Sequence, residues 1–156
     1  MERRGQGVQR WLLGSAALAV IGAFGPWAKV LGQSVGGTDG SNDGWLVVAA
    51  ALVGSLLFYA TRGQRAGAVW ALLGGIAGTA VTLYDRSNMQ NAINHGGALT
   101  QALVQIGWGL NLSLVASISM ALAAVVYLMQ QRTTEQPLPP PASTPPPVAA
   151  PTPPPD

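Results

Sequence analysis

Cysteine is absent from this chain of 156 residues, and charged side chains are scarce. Without cysteine, disulfides, thiolate nucleophiles and cysteine-ligated metals are excluded. Charged residues make up 9% of the chain, whereas a soluble domain carries about a quarter. Hydrophobic residues, in contrast, reach 49%. This composition indicates a chain that lies in a lipid bilayer.

The few charged groups also limit the chemistry. Eight lysine and arginine residues give a net charge of +2, and no basic stripe with interleaved aromatic residues is present, which excludes nucleic acid as a partner. Acid–base or nucleophilic catalysis would need a paired His, Glu, Lys or activated Ser. Between Trp11 and Tyr127, Asp85 and Arg86 form the one adjacent charged pair. We therefore expect a protein that is not an enzyme and uses no cofactor.

Four apolar stretches cover residues 11–27, 45–61, 66–84 and 107–129. Each approaches or exceeds the ~17 residues that cross the hydrocarbon core of a bilayer. The charges within this region fall in the joins between the stretches. The sequence thus predicts an all-α membrane protein, a bundle of four transmembrane helices, with a basic N-terminal segment at residues 1–10.

Tryptophan and tyrosine mark the ends of the four stretches. Their rings prefer the headgroup level of a bilayer, where an apolar ring and a polar N–H or O–H are both satisfied. We therefore expect all eight of these residues at the membrane surfaces: Trp11, Trp27, Trp45, Tyr59, Trp70, Tyr84, Trp108 and Tyr127.

The distribution of basic residues predicts the orientation, because lysine and arginine near span ends are retained in the cytoplasm. One side would carry Arg3, Arg4, Arg10, Arg62, Arg65 and Arg132, and the other Lys29 and Arg86. We expect a multi-pass protein of the plasma (inner) membrane with both termini cytoplasmic. A cleaved signal peptide is the alternative for the first stretch, but no clear small-x-small cleavage site follows it.

The joins and the two ends predict smaller features. Short β-branched segments flank Gly32 and Gln33, which predicts a small extracytoplasmic hairpin. Residues 85–105 predict a short surface helix and then an early start to the fourth span. Residues 130–156 hold eleven of the twelve prolines, typical of a disordered or polyproline II tail. Its Pro-x-x-Pro runs indicate a cytoplasmic partner, with a spacer as the alternative.

The segment from Asp39 to Gly44 has oxygen-bearing side chains at alternate positions followed by a glycine, as the first half of a calcium loop does. Asp39 and Asp43 are its candidate metal ligands. No acidic residue stands where the bidentate glutamate would be, because Trp45 begins the next span. The sequence therefore favours a turn, with Asp43 capping the second helix, over a cation site.

His95 is the single histidine. Without cysteine, and with only Asp85 near it in sequence, it cannot assemble a metal site. We expect a solvated loop residue, and a pH sensor is the alternative because histidine titrates near neutrality.

The fourth stretch is more polar than the others, since it contains Asn111, Ser113, Ser117 and Ser119. Polar side chains inside a membrane face protein or a water-filled path. Hydrogen bonding between helices is the interpretation that we favour, and a pore lining, with Asn111 as a candidate, is the alternative.

Small residues recur every fourth position on two of the predicted helices, which allows close helix packing. They are Gly67, Ala71, Gly75 and Thr79 on the third, and Gly109, Ser113, Ser117 and Ala121 on the fourth. Ala123 lies about 200° around the helix from Ala121, and we expect it to face lipid.

Several motifs of the first join, Pro26-Trp27, Gly37-Thr38-Asp39-Gly40 and Asp43-Gly44-Trp45, resemble a loop of small four-span membrane proteins from actinobacteria and their phages. The resemblance covers about 40 residues strongly and the four-span plan loosely. No catalytic or ligand residue is carried over from that group. The proline-rich tail is not a fixed part of the pattern.

Three functions are compatible with these features. We favour a non-enzymatic membrane protein that acts by assembly, with itself as a homo-oligomer or with a membrane or cytoplasmic partner. A small pore former, such as a phage holin or a depolarising prophage exclusion protein, is the first alternative. An outward-facing cation or pH sensor, built on Asp39 or His95, is the second.

Overall fold

The computed structural model describes residues 2–39, 43–62 and 64–134, and its dominant elements are four long helices. A small sheet and one short helix lie between them. The elements in chain order are α1 Glu2–Phe24, β1 Pro26–Val30, β2 Gln33–Gly36, α2 Asp43–Ala60, α3 Arg65–His95, α4 Gly97–Leu103, β3 Val104–Ile106 and α5 Trp108–Thr134.

Within this described part of the chain, α1, α2, α3 and α5 are long and apolar enough to cross a membrane. At 1.5 Å per residue, the 31 residues of α3 extend about 46 Å, which exceeds the ~30 Å hydrocarbon core of a bilayer. The prediction of four helices of spanning length is confirmed. The proline-rich segment 135–156 lies outside the described residues.

The four long helices form a ring with one loose side. Helix α5 packs closely against both α1 and α3, and α3 packs closely against α2, whereas α1 and α2 touch much less extensively. The interior is filled by apolar side chains, of which Leu12, Val47, Leu110 and Met120 are almost completely buried. The outward faces carry many exposed leucine, isoleucine and valine residues, as expected of helices surrounded by lipid.

A three-stranded antiparallel sheet closes one end of the bundle, called here the sheet end. Its strand order is β2-β1-β3. Leu31 and Gly32 connect β1 to β2 with φ values of 54° and 80°, the backbone of a two-residue hairpin turn. Strand β3 pairs Ile106 with Ala28 of β1. The hairpin thus stands where the sequence predicts one, and the third strand is an addition.

The structure differs from the predicted boundaries in four places, one of which is α5, since it continues to Thr134 in the predicted tail. Helix α1 begins at Glu2, so most of the N-terminal segment continues the first helix. Helix α3 continues through Asp85 to His95, because no glycine or proline stands between Asp85 and Gly96. Where an early start to the fourth span was predicted, residues 104–106 instead form β3.

Trp27 is buried inside the protein, unlike the other tryptophans. It belongs to β1 and is only 3% exposed. Its indole N–H donates a hydrogen bond to the carbonyl oxygen of Gly22 at 3.1 Å. The other four tryptophans are about half exposed, as the aromatic pattern predicts.

Candidate functional site: a carboxyl pair beneath the sheet

Asp43 and Asp85 meet at the sheet end of the bundle. Asp43 is the first residue of α2, and Asp85 lies in α3, the neighbouring helix. The two helices are joined by a tight loop and pack closely, so that the start of α2 lies beside the residues of α3 near position 85. The carboxyl group of Asp43 lies close to that of Asp85.

Burial makes this pair unusual. Asp85 is only 8% exposed, and its Oδ2 atom has no hydrogen-bond partner among the described residues. A buried carboxylate without compensation is costly, and two carboxylates in contact repel each other. A hydrogen bond between them needs a proton on one. The arrangement therefore calls for a positive charge between the two groups, as a proton or a cation.

The basic groups near this end are directed elsewhere. Arg86, the next residue of α3, donates a hydrogen bond from Nη1 to Oδ1 of Asn111 at 2.6 Å. Lys29 is exposed on β1. Among charged neighbours, Asp43 is the one that acts on Asp85. The pair is therefore a like-charge contact rather than part of a salt bridge.

Asn111, a candidate for a pore lining or polar contact, occupies the first turns of α5 and is exposed at the sheet end. It accepts the hydrogen bond from Arg86, and its amide lies 3.5 Å from the carbonyl oxygen of Gly107. This placement ties α3 to α5 beside the sheet.

Asp39 and Asp43, the two candidate metal ligands, have different surroundings in the structure. Asp39 is exposed, and its Oδ2 accepts a hydrogen bond from the backbone N–H of Gly36 at 2.9 Å, which closes a turn. Residues 40–42 lie outside the described residues. Elsewhere, no three histidine or acidic side chains come close enough to hold a metal ion. Asp43 is positioned against Asp85 instead.

His95 lies in the last turn of α3 and not in a loop. Its Nδ1 atom is 2.9 Å from the carbonyl oxygen of Asn91, one turn earlier in the same helix. The side chain is exposed, and this local hydrogen bond is the contact that the structure gives it.

The small residues of α3 and α5 lie in helix contacts. A Cβ atom on Gly75 would stand 2.7 Å from the backbone nitrogen of Ala121, and one on Gly78 would stand 2.6 Å from Oγ of Ser117. These contacts join α3 to α5. Gly67 lies against Phe58 and Thr61 at the far end of α2.

The first half of the α5 strip contacts α1 instead. A Cβ atom on Gly109 would stand 2.6 Å from the carbonyl carbon of Gly25, and Oγ of Ser113 lies 3.4 Å from the carbonyl oxygen of Ala19. The strip therefore turns from α1 to α3 along its length. Ser113 and Ser117 are both buried.

Ala123 was expected to face lipid, and this is wrong, because it is completely buried. Helix α5 has neighbours on two sides, α1 and α3. A residue 200° around the helix from one neighbour therefore faces the other neighbour. The outward face of α5 carries Val115, Ile118 and Leu122, which are 41–64% exposed.

A polar contact between α1 and α5 was not predicted as a unit. The indole N–H of Trp11 donates to Oγ of Ser119 at 2.8 Å, and Oγ of Ser15 lies 3.0 Å from the same atom. The spacing of Trp11 and Ser15, one helical turn, is the sequence signal that places both on one face.

A scan of protein-family models and searches of curated proteins and of solved structures found no match for this chain.

Proposed function

We propose that this chain is a multi-pass protein of the plasma membrane that performs no reaction of its own and whose outer end responds to protons or cations. Four helices of spanning length support the membrane location. The excess of arginine at the end opposite the sheet supports an orientation with both termini in the cytoplasm. The sheet end then faces outward.

The Asp43–Asp85 contact carries the proposal. With a proton or cation between the carboxyl groups, α2 and α3 are held together at this end. When that positive charge is lost, two negative charges in a poorly solvated place push the helices apart. The pair thus converts a change in the pH or cation concentration of the outer medium into a change in the contact between α2 and α3.

Backbone contacts near the pair would transmit a movement of α2 to the sheet. The backbone N–H of Gly44, the second residue of α2, donates to the carbonyl oxygen of Gly37 at 2.9 Å, just after β2. Strand β1 follows α1, and β3 precedes α5. Movement of α2 at this end is therefore coupled through the sheet to the other helices.

The protein then acts by assembly: the altered bundle contacts a second copy or another protein, including a cytoplasmic partner of residues 130–156. A pore former is the runner-up. Ser113 and Ser117 lie in helix contacts, so a pore with these serines as its lining would need the helices to rearrange. The likeness of the first join to actinobacterial and phage four-span proteins is part of the proposal and supplies no activity.

The test is the stability of the purified full chain in detergent between about pH 5 and pH 8, with a chelator or with calcium. We expect stability to fall as the pH rises in chelator, because the pair becomes doubly charged. Restoration by calcium at the upper pH would identify a cation, and no restoration a proton. A parent protein whose stability changes with neither pH nor calcium would overturn the proposal.

A further inference from the structure

The loose side of the ring, between α1 and α2, opens into a groove at the end opposite the sheet, called here the arginine end. The groove has a volume of about 570 Å³. Its lining comes from the early turns of α1 and the last residues of α2: Gln9, Leu13, Phe58, Tyr59, Ala60 and Arg62.

The lining combines a cation with an apolar wall. The guanidinium group of Arg62, the amide of Gln9 and the phenol of Tyr59 are polar groups that can contact an anion. Leu13 supplies exposed apolar surface next to them, and Phe58 lies buried behind the groove. Phe58 is held in place by an edge-to-face contact with Tyr127 of α5, with 5.2 Å between ring centroids.

The backbone at Arg62 is a second, independent observation. Its φ of 50° is left-handed, a conformation that glycine adopts readily at helix ends and arginine rarely does. The N–H of Arg62 donates to the carbonyl oxygen of Tyr59 at 2.9 Å, so this residue lies in the turn that follows α2. A long cationic side chain thus occupies a position where glycine would be less strained, and strained residues of this kind cluster at binding sites.

We propose that this groove binds one anionic phospholipid. The phosphate contacts Arg62, and an acyl chain lies along the exposed side chain of Leu13 in the gap between α1 and α2. The charge favours an anion, since Arg10 and Arg65 lie at the same end of the bundle. A lipid fits better than a free phosphate because the groove continues from its cation onto apolar surface. Basic pockets between membrane helices recognise lipid headgroups in this way.

The test is lipid retention by the purified full chain, measured by native mass spectrometry with phosphatidylglycerol and with phosphatidylcholine. We expect the parent to retain phosphatidylglycerol preferentially. Arg62→Asn removes the cation, while asparagine tolerates the left-handed backbone. This variant should lose about tenfold in phosphatidylglycerol affinity, the scale of one charge-assisted contact. Arg132→Gln, which removes one positive charge at the same end, should bind within about twofold of the parent.

A second variant tests the groove without changing charge. Ala60 is exposed and lines the groove, so Ala60→Trp should fill it and lower retention while the fold is kept. Equal losses of phosphatidylglycerol affinity in Arg62→Asn and Arg132→Gln would show that the lipid responds only to the overall positive charge of this end. That result would overturn the proposed site. Unchanged retention in Ala60→Trp, no preference for phosphatidylglycerol in the parent, or full displacement by soluble glycerol phosphate would overturn it as well.

Discussion

Gly78 of α3 and Ser117 of α5 approach so closely that a Cβ atom on the glycine would stand 2.6 Å from the serine Oγ. Ser117 is 2% exposed, and the contact lies between two helices that pack along much of their length. In a membrane, where the surrounding lipid is as apolar as leucine, helix association depends on close approach of this kind.

Replacing Ser117 by leucine should therefore destabilise the bundle. The larger side chain has no room against Gly78, and overpacking of this kind typically costs about 1–3 kcal/mol. The measurement is steric trapping or thermal unfolding in detergent. Ala77→Leu is the matched control, because Ala77 lies on the exposed face of α3, and it should be nearly neutral. Equal stability of the two variants would contradict the packing role of Ser117.

Two glycine substitutions should have opposite effects. In Gly75→Ala the new Cβ atom would stand 2.7 Å from the backbone nitrogen of Ala121, so α3 and α5 must separate at a cost of about 1–3 kcal/mol. In Gly14→Ala the new Cβ meets nothing within 4 Å, and alanine favours the helix by about 0.5–1 kcal/mol. Unfolding in detergent measures both. A loss of stability in Gly14→Ala would show that α1 has an undescribed contact there.

The sequence predicts the four long helices well, because hydropathy and length suffice to identify them. It does not reveal β3, whose three residues, Val104–Ile106, are too short for a pattern and depend on pairing with β1. The prediction that Ala123 faces lipid was wrong for a related reason. A single helix pattern shows where small residues lie but does not show that α5 has two close neighbours.

The approach of Asp43 to Asp85 could have been predicted from the sequence by counting residues on either side of the loop. A tight loop near residue 62 makes α2 and α3 an antiparallel hairpin, so Asp43 lies opposite a residue about 19 positions after the loop. That position falls within one helical turn of Asp85. Burial of Asp85, in contrast, is a property of the packed bundle and is not visible in the hydropathy of α3.

Asp85→Asn should remove the pH dependence of stability. In the proposed mechanism, the parent releases a proton at this site as the pH rises, whereas isolated carboxyl groups of the unfolded chain have already ionised at lower pH. The folded state then binds more protons, and stability falls with rising pH by up to about 1.4 kcal/mol per pH unit. Asparagine cannot ionise and can donate an N–H to Asp43, so the stability of the variant should hardly change with pH.

Asp39→Asn is the control for that experiment. Asp39 is exposed and accepts a hydrogen bond from the N–H of Gly36, so this variant should keep the slope of the parent. Unfolding curves in detergent at several pH values, with a chelator present, provide the measurement. A parent-like slope in Asp85→Asn would show that the proton is released elsewhere.

The two ends of the bundle should give opposite results in a topology assay. The arginine end carries Arg62, Arg65 and Arg132, and positive residues near spans are retained in the cytoplasm. Alkaline phosphatase fused after Arg132 should therefore be inactive, whereas green fluorescent protein at the same position should fluoresce. Alkaline phosphatase fused after Gly32, in the exposed hairpin turn, should be active because the chain has crossed the membrane once. Phosphatase activity after Arg132 would invert the orientation, and the Asp43–Asp85 pair would then face the cytoplasm and could not respond to the outer medium.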